Sequence, residues 1–93
     1  MRTVVQPRSA IFRYERQETA GTRLIGPPEQ LEGRFTDYGN GTLETPDGAA
    51  FRTVDGAWIK DGRALQPGSE FVYGPDDRYT ARILAQQTPW QPT

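Results

Sequence analysis

Residues 33–62 read GRFTDYGNGTLETPDGAAFRTVDGAWIKDG, in which short apolar segments alternate with pairs of turn-forming residues. Asn-Gly and Asp-Gly pairs suit tight hairpin turns, because glycine, asparagine and aspartate tolerate a positive φ at little steric cost. Such turn pairs continue towards Leu84: Asn40-Gly41, Asp47-Gly48, Asp55-Gly56, Asp61-Gly62, Pro67-Gly68 and Pro75-Asp76. Their spacing predicts a meander of short antiparallel strands.

The alternation of apolar and polar residues between the turns predicts the individual strands. Near the start, Phe12, Tyr14 and Arg16 share one side of a half-buried strand. The prolines in Gly26-Pro27-Pro28 are expected to end regular structure, and residues 29–32 to form a short helical turn. The predicted strands are residues 2–5, 9–16, 22–25, 34–38, 42–45, 49–54, 57–60, 69–73 and 79–84. The predicted core consists of Phe35, Leu43, Phe51, Phe71, Tyr73, Ala81 and Ile83.

The chain of 93 residues has room for one modest core. An all-β fold with a small five-stranded barrel is expected, because closure removes exposed strand edges. Three parts follow from this prediction: an N-terminal β-hairpin arm over residues 1–30, the barrel over residues 31–85, and a tail over residues 86–93. The tail contains two prolines and no periodic pattern, so it is expected to be disordered.

The chain contains neither cysteine nor histidine. It therefore lacks the commonest general base, thiolate nucleophiles and the usual zinc ligands. The paired carboxylates Asp76 and Asp77 lie in a predicted turn, where aspartate side chains cap the backbone. We therefore expect a protein that is not an enzyme and that uses no cofactor or metal.

The charge is divided between the two ends of the chain. Residues 1–30 hold five arginines against three glutamates, whereas the remainder holds six basic and nine acidic residues. The body is thus mildly acidic, and any basic surface on it must be local. No signal sequence or membrane-spanning run is visible, so a cytoplasmic protein without membrane contact is expected.

Several segments resemble a known small barrel. Residues 32–43 read EGRFTDYGNGTL, and they are followed by Pro46-Asp47-Gly48, by LQPGSEFVY at residues 65–73, and by Arg82-Ile83. This pattern resembles the OB-fold of the smallest bacterial translation initiation factor. The YGNGTL and AFRTV segments resemble, more faintly, the two aromatic strand motifs of cold-shock domains. The resemblance covers residues 32–84 and implies an OB-like barrel.

The first functional hypothesis is a binding module for single-stranded nucleic acid, either RNA or DNA. Aromatic side chains on such a barrel stack on bases, at about 1–3 kcal/mol per base, while nearby Arg or Lys neutralises phosphate. The predicted nucleic-acid-binding residues are Arg34, Tyr38, Phe51, Arg52, Trp58, Lys60, Arg63 and Arg82.

The alternative hypothesis is a protein–protein interaction module or regulator that binds through the barrel, the arm or the tail. The acidic body supports it, as do Asn40, Thr42 and Thr53, which are small and polar where cold-shock domains carry stacking residues. The tryptophan of a disordered tail can become a buried anchor on binding. The predicted partner-binding residues are Trp90, Tyr14 and Arg16.

Overall fold

The computed structural model describes residues 6–93, so the strand predicted over residues 2–5 lies outside the described residues. Within residues 6–93, seven strands and two short 3-10 turns, at Gly62–Ala64 and Pro75–Asp77, make up the regular structure. The strands are β1 (Arg8–Ala20), β2 (Arg23–Asp37), β3 (Leu43–Glu44), β4 (Phe51–Thr53), β5 (Glu70–Tyr73), β6 (Tyr79–Gln86) and β7 (Gln91–Pro92). No helix among these residues is long and apolar enough to cross a lipid bilayer.

The strands form one antiparallel sheet in the order β3-β2-β1-β6-β5-β4. An isolated bridge between Glu44 and Ala50 brings β3 beside the start of β4, which nearly closes the sheet into a barrel. The predicted all-β barrel with an N-terminal hairpin is therefore confirmed. Apart from β1 and β6, whose pairing closes the ring, neighbours around the barrel are consecutive in the chain, as in a closed meander, whereas an OB-fold is a Greek-key barrel.

The hairpin of β1 and β2 is much longer than predicted, because Gly26-Pro27-Pro28 does not end β2. The pairing passes from Arg16–Glu29 to Glu18–Ile25, so Gln17 alone lies opposite residues 26–28 in a bulge. Proline is tolerated there because β2 pairs at these residues with β1 alone among the described strands. Gly26 supplies the positive φ of 70° that the bulge requires.

The helical turn predicted at residues 29–32 is also wrong, since these residues belong to β2. Leu31 lies opposite Tyr14, and Gly33 lies opposite Phe12, so this part of β2 continues the inner face of the barrel. The absence of a side chain at Gly33 is required by packing. A Cβ atom there would lie 2.5 Å from Cγ of Pro46.

The core is built around the ring of Phe35, which four other aromatic rings approach edge-on. The centroids of Phe12 and Tyr14 lie 5.3 Å from it, and those of Phe51 and Phe71 lie 5.8 Å from it. Edge-to-face pairs of this kind add about 0.5–1.5 kcal/mol each beyond their buried area. Every residue of the predicted core is buried.

The C-terminal tail is ordered, contrary to expectation. Beyond Gln86, where β6 ends opposite Phe12, the tail continues along β1, and β7 pairs with Arg8 and Ser9. The amide of Gln87 donates to the carbonyl of Ile11 at 2.7 Å. Trp90 packs on the core beside Phe12, so the tail closes one end of the barrel.

Candidate partner-binding surface

The hairpin of β1 and β2 extends past the barrel and ends in what we call the hairpin tip, residues 17–28. The molecule measures 49 Å along its longest axis against 25 and 19 Å along the others. At the tip, Leu24 is 62% exposed and Ile25 is 45% exposed. Leu24 lies opposite Thr19 and Ile25 opposite Glu18, so the two aliphatic side chains project from opposite faces of the hairpin.

The turn between β5 and β6 holds the tip against the barrel. The amide of Thr19 donates to the carbonyl of Arg78 at 2.7 Å, and its hydroxyl donates to the carbonyl of Asp77 at 3.0 Å. Arg78 also forms an ion pair of 2.8 Å with Glu18. Asp76 and Asp77 adopt positive φ values of 55° and 53° in this turn. These contacts restrain β1 as far as Thr19 and orient the tip.

A polar cluster lies beneath the tip, at the end of the barrel. Nη1 of Arg16 donates to Oδ2 of Asp47 at 3.0 Å and to the hydroxyl oxygen of Tyr73 at 3.1 Å. The Tyr73 hydroxyl donates to the same carboxylate oxygen at 3.1 Å. The guanidinium also lies 4.6 Å from the ring centroid of Tyr79 and 3.4 Å from a carboxylate oxygen of Glu29.

The protonation states in this cluster follow from its environment. Burial raises the pKa of Tyr73, and this effect outweighs the hydrogen bond and charge of Arg16. The hydrogen bond to Tyr73 raises the pKa of Arg16 in turn. Near neutral pH the phenol therefore stays protonated and donates to Asp47, while the guanidinium stays charged.

Among the open grooves that border the tip, one includes Leu24 without Ile25 and another includes Ile25 without Leu24. The first has a volume of about 190 Å³ and includes Leu24, Glu15 and Arg82 in its lining. The second has a volume of about 420 Å³ and includes Ile25 and Asp76. Each exposed aliphatic side chain therefore borders a concave surface with charged groups at its margin.

The three residues predicted to bind a protein partner do not form one surface. Tyr14 is 2% exposed and packs against Phe35, so its assignment to a binding surface is wrong. Trp90 is partly buried against Phe12, so it is not an anchor in a free tail. Arg16 lies beneath the hairpin tip, in the polar cluster described above.

Phe51, assigned to nucleic-acid binding, is 1% exposed in the core, so that assignment is wrong. Trp58 is 56% exposed, and the guanidinium of Arg52 lies 5.5 Å from its ring centroid. Arg52 forms an ion pair with Asp77. The surface around Trp58 thus offers an aromatic face whose nearest cation is already paired.

The other predicted nucleic-acid-binding residues are distributed around the barrel. Arg34 is exposed on β2, and Arg82 on β6 pairs with Glu70 at 3.1 Å. The hydroxyl of Tyr38 donates to Glu44 at 2.9 Å. Lys60 and Arg63 are exposed in the segment between β4 and β5.

Sequence reasoning missed Leu24 and Ile25, although it predicted a strand there. Two consecutive aliphatic residues in a two-stranded ribbon point to opposite faces. One core cannot cover both faces, so at least one of the side chains must be exposed. The pair directly precedes Gly26-Pro27-Pro28. Two adjacent aliphatic residues at this position are the sequence feature that could have indicated an exposed apolar side chain.

Within residues 6–93, no group of three or more His, Cys, Asp or Glu side chains is placed to hold a metal ion. Comparison of the chain with protein-family models, with curated proteins and with solved structures found no match.

Proposed function

We propose that the chain is a non-catalytic protein-interaction module that binds its partner through the hairpin tip. The observation that carries the proposal is the exposure of Leu24 and Ile25 on a hairpin that projects from the barrel. Burying a leucine or isoleucine side chain in a partner contributes about 1.5–3 kcal/mol. Because Thr19 and Arg78 hold the tip in place, little conformational entropy is lost when the partner binds.

The test is affinity capture with the purified protein as bait, from a lysate of the cells in which it is naturally expressed. Wild type is compared with a Leu24→Ser/Ile25→Ser double variant. Val54→Ser is the matched control, because Val54 is 51% exposed but lies in a loop of the barrel. We expect a protein captured by wild type and by the control to be lost with the double variant. Equal capture by all three would refute the role of the tip.

A second candidate function is the binding of single-stranded nucleic acid at Trp58. The exposed indole, the adjacent Arg52 and the exposed Lys60 favour it. The ion pairs of Arg52 and Arg82 with acidic side chains weigh against it. Fluorescence anisotropy with a labelled single-stranded oligonucleotide at low salt tests this function. Binding that Trp58→Ala weakens would support it.

A further inference from the structure

Three five-residue hairpin loops in the barrel share one backbone arrangement. They cover residues 38–42, 45–49 and 53–57, and in each the first amide donates to the carbonyl of the fifth residue, at 3.0, 2.8 and 2.6 Å. The third position is occupied by Asn40, Asp47 or Asp55. The fourth is a glycine with a φ of 89°, 82° or 91°.

The loops differ in whether the backbone amide of that glycine donates a hydrogen bond. The amides of Gly48 and Gly56 each donate to the carbonyl of the first loop residue, at 2.9 Å. The amide of Gly41 has no hydrogen-bond acceptor among residues 6–93. The second loop position explains the difference. Gly39 adopts a φ of 75° there, whereas the other loops have proline or valine at that position.

We propose that Asn40 is a site of spontaneous deamidation in the folded protein. The amide nitrogen of Gly41 attacks Cγ of Asn40, a C–N bond forms, and the side-chain nitrogen leaves as ammonia after taking up the proton that the backbone amide loses. Water then opens the resulting succinimide to aspartate or isoaspartate. The reaction consumes one water, releases one ammonia and needs no further reactant.

The loop meets the requirements of this reaction. Asn40 is exposed, so water reaches the succinimide. Oδ1 of Asn40 accepts a hydrogen bond of 3.1 Å from the amide of Thr42, which holds the side chain over the following backbone. No bond to the Gly41 nitrogen has to break before it attacks. The inference does not depend on the proposed function.

The product changes the surface of this loop. A carboxylate appears at residue 40, next to Gly41, where a Cβ atom would lie 3.9 Å from Cγ of Lys60. Isoaspartate also lengthens the main chain by one carbon atom between β2 and β3. Since Asn40 is the sole asparagine of the chain, a single acidic species is expected to accumulate on storage.

The matched control is Asp55→Asn, which places a second asparagine before a glycine in the same type of loop. Oδ1 of Asp55 accepts from the amide of Ala57 at 3.2 Å, as Asn40 accepts from Thr42, and it also accepts from the Thr53 hydroxyl. The amide of Gly56, unlike that of Gly41, is hydrogen-bonded. Trypsin separates the two sites into peptides 35–52 and 53–60, so both rates are measured by mass spectrometry in one sample.

In the folded variant we expect deamidation at position 40 to be roughly two- to tenfold faster than at position 55. The reaction at position 55 is slower because the hydrogen bond of the Gly56 amide must break before its nitrogen can attack. In guanidinium chloride the two rates should converge. Equal folded rates, or a faster rate at position 55, would overturn the proposal.

Wild-type protein supplies a second measurement if the variant fails to fold. Isoelectric focusing of samples aged with and without guanidinium chloride compares the rate at Asn40 in the two states. Folded and unfolded rates of similar size support the proposal. A folded protein that keeps its amide while the unfolded chain converts would refute it.

Discussion

Arg16 and Tyr73 are joined by a hydrogen bond of 3.1 Å beneath the hairpin tip, and Asp47 accepts hydrogen bonds from both. Arg16 lies on β1, Tyr73 on β5 and Asp47 in the loop between β3 and β4. The cluster therefore connects the base of the hairpin to two separate parts of the barrel. It anchors the surface that we propose to bind a partner.

Arg16→Met should destabilise the fold, because it leaves the Tyr73 hydroxyl and Asp47 without a charged donor. The loss of a hydrogen-bonded partner at a buried group predicts a decrease of about 1–3 kcal/mol in the free energy of unfolding, measured by urea denaturation. Arg13→Met is the control, since Arg13 is exposed on the same strand. Equal losses from the two substitutions would contradict a stabilising role for the cluster.

Asp37→Asn should destabilise the other end of the barrel. Asp37 is buried and accepts hydrogen bonds from Arg8, Gly39 and Gly62 at 2.9–3.2 Å. The asparagine side chain carries no charge, so these hydrogen bonds lose their ionised acceptor. This predicts a decrease of about 1.5–3 kcal/mol in the free energy of unfolding at neutral pH, measured by chemical denaturation. Asp61→Asn, at an exposed side chain that reaches Arg8 at 3.4 Å, should have a much smaller effect.

The difference between wild type and Asp37→Asn should also depend on pH. Burial tends to raise the pKa of Asp37, but the hydrogen bonds from Gly39, Arg8 and Gly62 outweigh burial and hold the pKa below its ordinary value of 3.8. A lowered pKa in the folded state stabilises the fold above pH 3.8, and this contribution is lost as the pH falls through the folded-state pKa. The two proteins should therefore converge in stability at acid pH. A constant difference would disagree with this account.

The sequence predicted the barrel well, because turn pairs and period-2 alternation are local signals. Phe35, Phe51 and Phe71 were assigned to the core from alternation alone, and all three are buried. The bulge opposite Gln17 was not predictable in this way. Proline is accepted in β2 because of what lies beside the strand, and local sequence does not contain that information.

The site was predicted less well, because exposure and pairing depend on distant parts of the chain. Trp90 has no periodic neighbours, yet it packs beside Phe12, which lies 78 positions earlier. Arg52 was predicted to bind phosphate, but Asp77 from another turn pairs with it. Charge counts along a sequence do not show which charges neutralise each other after folding.

Trp90→Ala should reduce stability although Trp90 lies only three residues before Thr93. Its ring lies 5.6 Å from that of Phe12 and 5.6 Å from the guanidinium carbon of Arg8. Truncating a fully buried tryptophan costs about 3–5 kcal/mol, so a loss of roughly 2 kcal/mol is expected for this partly buried one. The same substitution at Trp58, which is exposed, should change stability by less than about 0.5 kcal/mol. Equal small effects in denaturation experiments would mean that the tail does not contribute to the core.

Gly62→Ala should destabilise the fold through its contact with the same tryptophan. A Cβ atom on Gly62 would lie 2.8 Å from Cζ2 of Trp90 and 2.9 Å from Oδ2 of Asp37, and the backbone there does not adopt a positive φ. The cost is therefore steric, and overpacking of this kind predicts about 1–3 kcal/mol. In the Gly62→Ala/Trp90→Ala double variant the ring is absent, so the second substitution should relieve part of the first. We expect the double variant to be less destabilised than the sum of the single variants by at least about 0.5 kcal/mol. Strict additivity would show that Trp90 and Gly62 do not share this contact in solution.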